Sequence, residues 1–195
     1  MRDGVFMLSG LFVIFYAISF FQLFSGLPLY YKQEYAMDEK GIGLLLALNG
    51  VIVFCLEMIL VFNLEKKFAV RTLIITGCLL LATGYFIFNM YHGIIVLIIS
   101  MVLLSLSEIF AMPFMMSYII ARADAANRGN YIGLYTIFWS IATILAPLIS
   151  SHTIESFSFS TLWWILGSLS VGTSVGFGFA MRTPRAKTLH TVSSD

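Results

Sequence analysis

The chain has 195 residues, of which 59% are hydrophobic and 11% are charged, and its formal net charge is +1. A soluble domain usually carries about 25% charged residues, so a soluble core could not bury this much apolar surface, and a lipid bilayer is the expected solvent. A nearly neutral chain lacks the basic face that neutralises phosphates, which excludes nucleic acid as a partner.

Six apolar runs are long enough to cross a bilayer as α-helices. Their predicted bounds are 5–31, 42–63, 71–90, 94–121, 130–151 and 161–181. The runs are continuously apolar rather than alternating, which favours helices over barrel strands. The first run is too long for a signal-peptide core and no small-residue cleavage pattern follows it, so we expect a retained span. The sequence thus predicts an all-α membrane bundle over 1–181 and a disordered cytoplasmic tail over 182–195.

The positive charges indicate an orientation. If the N-terminus is placed on side one, that side collects nine basic residues: Arg2, Lys66, Lys67, Arg71, Arg122, Arg128, Arg182, Arg185 and Lys187. Side two collects only Lys32 and Lys40. By the positive-inside rule, side one and both termini are predicted to be cytoplasmic. Because outer-membrane proteins are barrels, we expect a multi-pass protein of a bacterial inner membrane.

The fifth run and the loop before it resemble a known transporter family. They read ANRGNYIGLYTIFWSIATILAPLIS, with an Arg-Gly pair, a Tyr-x-Gly-x-Tyr pattern and a late proline. These residues are Arg128, Gly129, Tyr131, Gly133, Tyr135 and Pro147. The pattern resembles the eleventh span of major facilitator superfamily transporters.

Two further stretches are similar to the same family. The first run contains FFQLFSGLPLYYKQEY, which resembles the seventh helix of drug/proton antiporter-like members. The loop NLEKKFAVR is similar to the cytoplasmic loop signature of the family but lacks its glycines. The whole chain resembles, in order, spans seven to twelve, which are the C-terminal half of a twelve-span transporter. The resemblance implies two inverted three-helix repeats.

The predicted repeats place similar residues in corresponding spans. Span one carries Gln22 and then Pro28, and span four carries Glu108 and then Pro113. A helix interrupted near a binding cavity is typical of such transporters, because freed backbone groups need a polar environment. We therefore expect helix breaks or gating at Pro28, Pro113 and Pro147, together with Arg128 and Gly129 at the loop before span five.

Glu108 is the candidate for proton coupling, because it lies near the middle of span four. An ionised carboxylate there costs about 2.5 to 3.5 kcal/mol on insertion scales. No Lys or Arg lies inside a span except Arg71 at the edge of span three, so a water-filled cavity or protonation remains. The alternative is a neutral Glu108 that is bonded to a tyrosine or to backbone freed by Pro113.

Further residues are candidates for lining a substrate cavity. They are Gln22, Asn49, Glu57, Tyr16 and Trp139. The amides of Gln22 and Asn49 could instead hold helices together. Glu57, near the cytoplasmic surface, could instead pair with Lys66 or Arg71.

No catalytic constellation, phosphate-binding loop or metal-ligand spacing is present in the sequence, so we predict no enzyme, no cofactor and no metal. The prediction is secondary active transport of a small, amphipathic organic molecule, coupled to protons and working by alternating access. Its partners would be the lipid bilayer and either an N-terminal six-span half or a second copy of the chain. The alternative is a truncated or split half that acts only as a membrane assembly module without transport of its own.

Overall fold

The computed structural model describes residues 4–123 and 125–181. Every regular element within these residues is a helix. The helices are α1 (Gly4–Phe21), α2 (Gly26–Glu34), α3 (Glu39–Lys67), α4 (Val70–Met90), α5 (Ile94–Arg122), α6 (Arg128–Ser156) and α7 (Phe159–Ala180), with a short 3-10 turn at Ala125–Asn127. The predicted tail over 182–195 lies outside the described residues.

Six segments are long and apolar enough to span a bilayer, and α1 and α2 together form the first of them. This confirms the predicted all-α, six-span fold. The first span is interrupted at residues 22–25, and the N–H of Leu27 donates to the oxygen of Gln22 at 2.9 Å across the break. Pro28 is the third residue of α2, where its missing N–H leaves no hydrogen bond unmade.

The helix breaks that were expected at Pro113 and Pro147 do not occur. Both prolines lie inside unbroken helices, α5 and α6. Membrane helices tolerate proline when hydroxyl side chains and neighbouring helices satisfy the freed backbone groups. Pro147 frees the carbonyl group of Thr143, four residues before it, while the Ser150 hydroxyl donates to the oxygens of Ala146 and Pro147 in the next turn, both at 3.1 Å.

The middle helices of the two predicted repeats are exchanged between the repeats. The second span, α3, packs chiefly on α5, while the fifth span, α6, packs chiefly on α1; α4 and α7 contact each other. Each repeat thus places its middle helix on the first span of the other repeat. This is the arrangement expected of two inverted three-helix repeats, here α1–α4 and α5–α7.

The ends of the bundle differ in charge. The basic end carries Lys66, Lys67, Arg71, Arg122 and Arg128, and the acidic end carries Glu34, Asp38, Glu39 and Glu155 beside Lys32 and Lys40. Between the two ends, α4 and α5 approach closely, because a Cβ added to Gly77 would lie 2.9 Å from the backbone nitrogen of Ala111. In contrast, α3 lies at one edge and buries only Leu45 and Asn49.

Candidate functional site

Glu108 lies at the centre of the bundle. It is fourteen residues from both Ile94 and Arg122, the two ends of α5, and its side chain is half-buried. Among the described residues no Lys or Arg lies within ion-pair distance of it. The carboxyl group therefore sits at mid-membrane depth without a cationic partner there.

Asn49 of α3 holds the carboxyl group of Glu108. Its Nδ2 donates to Oε2 of Glu108 at 3.1 Å and to Oγ of Ser105 at 3.1 Å. The Ser105 hydroxyl donates its own proton to the oxygen of Met101 at 2.8 Å, so it accepts from Asn49. Both hydrogens of the Asn49 amide are thus used at the contact between α3 and α5. The Ser105 hydroxyl and one carboxyl oxygen of Glu108 therefore both lie beside the amide nitrogen of Asn49.

Glu57 extends this polar cluster along α3. It lies eight residues after Asn49, on the same side of the helix, and is half-buried. The ion pair considered for Glu57 is not formed among the described residues, where the ammonium group of Lys66 instead lies 3.5 Å from the ring centre of Phe62.

Tyr16 and Trp139 lie on a different side of α5. The hydroxyl of Tyr16 is 3.1 Å from Oγ of Ser107 in the core, and the Tyr16 ring contacts Trp139 edge-on at 6.5 Å. Trp139 also contacts Tyr135 at 6.1 Å. A groove between α5 and α6 is lined by Met112, Met116, Tyr135, Thr136 and Trp139. The groove offers an apolar, partly sulfur-containing surface, and behind it the Tyr16 ring contacts Trp139.

Gln22 is placed apart from Glu108, in the break between α1 and α2. It is fully buried, its Nε2 donates to the oxygen of Ala146 at 3.0 Å, and its Oε1 accepts from the hydroxyl of Ser25 at 3.2 Å. Its amide groups are therefore engaged within the fold. Arg128 and Gly129 begin α6 at the basic end and are exposed, far along the helix from Trp139.

The structure brings Asn49 and Glu108 into contact, places Glu57 eight residues further along α3, and adds two serines that the sequence interpretation did not name. Ser105 lies three residues before Glu108, a spacing that places two side chains on one helix face, so the sequence did carry a signal for it. Ser107 faces Tyr16 instead. Within the described residues no group of three His, Cys, Asp or Glu side chains is arranged to hold a metal ion.

Comparisons with known proteins agree with this architecture. The chain is 27% identical over 185 residues to a Na(+), Li(+), K(+)/H(+) antiporter of Planococcus maritimus, covering 88% of this chain and 43% of the relative. It is 22% identical over 180 residues to the uncharacterized MFS-type transporter YqjV of Bacillus subtilis (strain 168), covering 91% of this chain and 43% of that relative. The chain therefore spans less than half the length of both curated relatives.

A family model decides the relationship. The model described as the Major Facilitator Superfamily matches residues 7–194, which is nearly the whole chain. The matched region includes all six apolar spans and the polar cluster at Glu108. The chain is a membrane-spanning protein that belongs to the Major Facilitator Superfamily of transporters.

Proposed function

We propose that this chain forms half of a proton-coupled secondary transporter that works by alternating access, with Glu108 as the proton-binding group. The observation that carries the proposal is the mid-membrane carboxyl group that Asn49 holds at 3.1 Å and that no cation neutralises among the described residues. A charge at this depth costs about 2.5 to 3.5 kcal/mol, so binding a proton or another cation is favourable. Glu57 nearby adds a second carboxyl group and increases the need for a positive ion.

A monovalent metal cation is the cargo that the cluster fits best. The Glu108 carboxylate and the Ser105 hydroxyl supply oxygens that hard cations prefer, and the Asn49 amide, whose nitrogen bonds to both, would have to turn over to present its oxygen to the ion. A cation that binds Glu108 displaces its proton, so the two ions compete for one carboxylate and are exchanged. The name of the Planococcus maritimus relative, a cation/proton antiporter, supports this choice.

An amphipathic organic molecule is the second candidate cargo. The groove between α5 and α6 supports it, because Met112, Met116 and Trp139 form an adaptable apolar surface. The organic molecule would lie in this groove and exchange against a proton on Glu108.

The transporting unit would contain a further six-span half or a second copy of the chain. Two observations support this. The chain matches only 43% of the length of each relative, and α3 has an exposed position at the edge of the bundle. Following the positive-inside rule, the basic end faces the cytoplasm.

Ion exchange at Glu108 is tested by measuring proton release. The purified chain in weakly buffered nanodiscs is mixed with NaCl, KCl or LiCl over a series of starting pH values, and a pH-sensitive dye reports released protons. We expect release by at least one salt, loss of release in Glu108→Gln, and normal release in Glu155→Gln, an exposed carboxylate at the acidic end of α6. Choline chloride is the ionic control.

The same assay separates the two cargoes. Release by an amphipathic organic cation, but by none of the three salts, would favour the groove over the oxygen cluster. Equal release from Glu108→Gln and the unmodified chain would overturn the role of Glu108.

A further inference from the structure

A second cavity lies at the acidic end, where the ends of α2, α4 and α7 meet. Its volume is about 230 Å³. It is separated from Glu108 along the helices, because Glu34, Asn89 and Ser158 that line it all lie at helix ends or in loops. The function proposed above does not use this cavity.

The floor of the cavity is aromatic. Tyr30, Phe88, Phe159 and Trp163 line it, and all four side chains are buried. The Tyr30 ring centre lies 5.1 Å from that of Trp163 and 5.2 Å from those of both Phe88 and Phe159. The faces of aromatic rings are electron-rich and attract cations, and a cluster of such rings also forms an apolar base that excludes water.

The rim of the cavity is polar, and it is formed by Glu34, Asn89, His92, Ser158 and Ser160, of which Glu34 is the acidic residue. Glu34 is exposed there and forms no ion pair among the described residues, because the nearby Lys32 pairs with Glu39 at 3.0 Å. The side-chain nitrogen of Asn89 donates to the oxygen of Ser160 at 3.2 Å, so its oxygen remains available as an acceptor.

The helix ends at the cavity add to this potential. Two helices, α2 and α4, end there, and the last carbonyl groups of a helix carry partial negative charge. The positive N-terminus of α7 is already capped, since the Ser158 hydroxyl accepts from the N–H of Thr161 at 3.2 Å.

We propose that this cavity binds an ammonium group, with Glu34 as its counter-ion and the aromatic cluster as its floor. An aromatic surface beside a single carboxylate is the arrangement that recognises organic ammonium ions. Two sources supply such a group: the headgroup of an ethanolamine or choline lipid, because the cavity lies where the spans end, and a soluble amine from the surrounding water. The shared chemistry is the cationic nitrogen.

The test uses the fluorescence of Trp163. Of the three tryptophans, Trp139 and Trp164 are replaced by Phe, which leaves Trp163 as the reporter. The full chain in nanodiscs of phosphatidylglycerol, a lipid without an amine, is titrated with tetramethylammonium chloride against NaCl at matched ionic strength. We expect a saturable change with tetramethylammonium and none with the uncharged isostere neopentyl alcohol.

Substitution of the rim identifies the counter-ion. Glu34→Gln should weaken tetramethylammonium binding by about fivefold or more, since loss of one partly exposed charge contact has an effect of this size. Glu155→Gln removes the same charge from the acidic end but lies outside the cavity, and its affinity should equal that of the unmodified reporter chain. Both positions are exposed, so neither variant should disturb folding.

Three results would overturn the proposal: no saturable response, equal affinity in Glu34→Gln and Glu155→Gln, or equally strong binding of neopentyl alcohol. The source is decided by adding phosphatidylethanolamine to the nanodiscs. Weaker binding of tetramethylammonium in those discs identifies the lipid headgroup as the occupant, and equal binding identifies a soluble amine. Both results follow from an ammonium site.

Discussion

The side-chain nitrogen of Gln22 lies 3.0 Å from the backbone oxygen of Ala146, which ties the break between α1 and α2 to α6. The bond from Asn49 to Glu108 ties α3 to α5 in the same way. The first spans of the two inverted repeats correspond to each other, and so do their middle spans. Each of the two bonds therefore joins the first span of one repeat to the middle span of the other. One bond is neutral and fully buried, and the other contains a half-buried carboxyl group that can bind a proton.

Gln22→Leu should lower the stability of the chain. The substitution removes the bond to Ala146 and leaves the Ser25 hydroxyl without its acceptor on Gln22. We expect a loss of about 1 kcal/mol, between the average of about 0.6 and the maximum of about 1.7 kcal/mol for hydrogen bonds between membrane helices. Thermal unfolding in detergent, followed by circular dichroism, measures it. Gln33→Leu, at an exposed position of α2, is the control, and equal midpoints for both variants would contradict a structural role for Gln22.

Asn49→Ala should loosen α3. The variant removes the hydrogen bonds to both Ser105 and Glu108, and Leu45 is the other buried residue of this helix. Hydrogen exchange in nanodiscs should therefore become faster in α3 while that of α4 stays unchanged. Asn63→Ala is a matched control on the same helix, because Asn63 bonds only to Ile59 in its own helix. Similar exchange in both variants would mean that Asn49 does not hold α3.

The hydroxyls of Tyr16 and Ser107 should be energetically coupled. They lie 3.1 Å apart in the core, where water does not replace a lost partner. A double-mutant cycle of Tyr16→Phe and Ser107→Ala should give a coupling of about 0.6 kcal/mol and at most about 1.7 kcal/mol. Chemical unfolding in mixed micelles supplies the four free energies. The control cycle pairs Ser107→Ala with Tyr91→Phe, at an exposed loop position, and should give no coupling energy. A coupling energy in the control cycle as large as that between Tyr16 and Ser107 would refute the direct bond.

Gly77→Ala should destabilise the contact between α4 and α5. The added Cβ would lie 2.8 Å from the Cβ of Ala111 and 2.9 Å from its backbone nitrogen, so the helices must separate. We expect a loss of about 1 to 3 kcal/mol, which is typical of overpacking. Gly172→Ala is the control, because nothing lies within 4 Å of its added Cβ. The unfolding midpoint should fall in Gly77→Ala but not in Gly172→Ala. An unchanged midpoint in Gly77→Ala would show that α4 and α5 adjust to the added methyl group without loss of stability.

The sequence predicted the six spans well, because the length of an apolar run and the free-energy cost of burying charge are local properties. It predicted an interruption near Pro28, which follows the break at residues 22–25, but the breaks expected at Pro113 and Pro147 do not occur. A proline inside a helix frees the carbonyl group four residues before it, and whether the helix breaks there depends on how the surrounding chain packs, which a single sequence does not show.

The polar residues of the spans were predicted individually but not as pairs. Asn49 and Glu108 are 59 residues apart in sequence, and only the packing of α3 on α5 brings them into contact. Gln22 has the same amide group as Asn49, yet its partners are a serine and a backbone oxygen. A single sequence names the polar groups that must be satisfied in the membrane, but tertiary packing decides which groups satisfy them.

The position of α3 at the edge of the bundle has a mechanical consequence. The helix buries only Leu45 and Asn49 and otherwise packs on the core through half-buried apolar residues such as Ile42, Leu46 and Leu48, so the bonds of Asn49 are its buried polar attachment. Any ion that binds or leaves Glu108 alters the acceptor of one of those bonds. If Glu108 exchanges ions as proposed, a change of one charge there would act on a 29-residue helix that reaches both ends of the bundle.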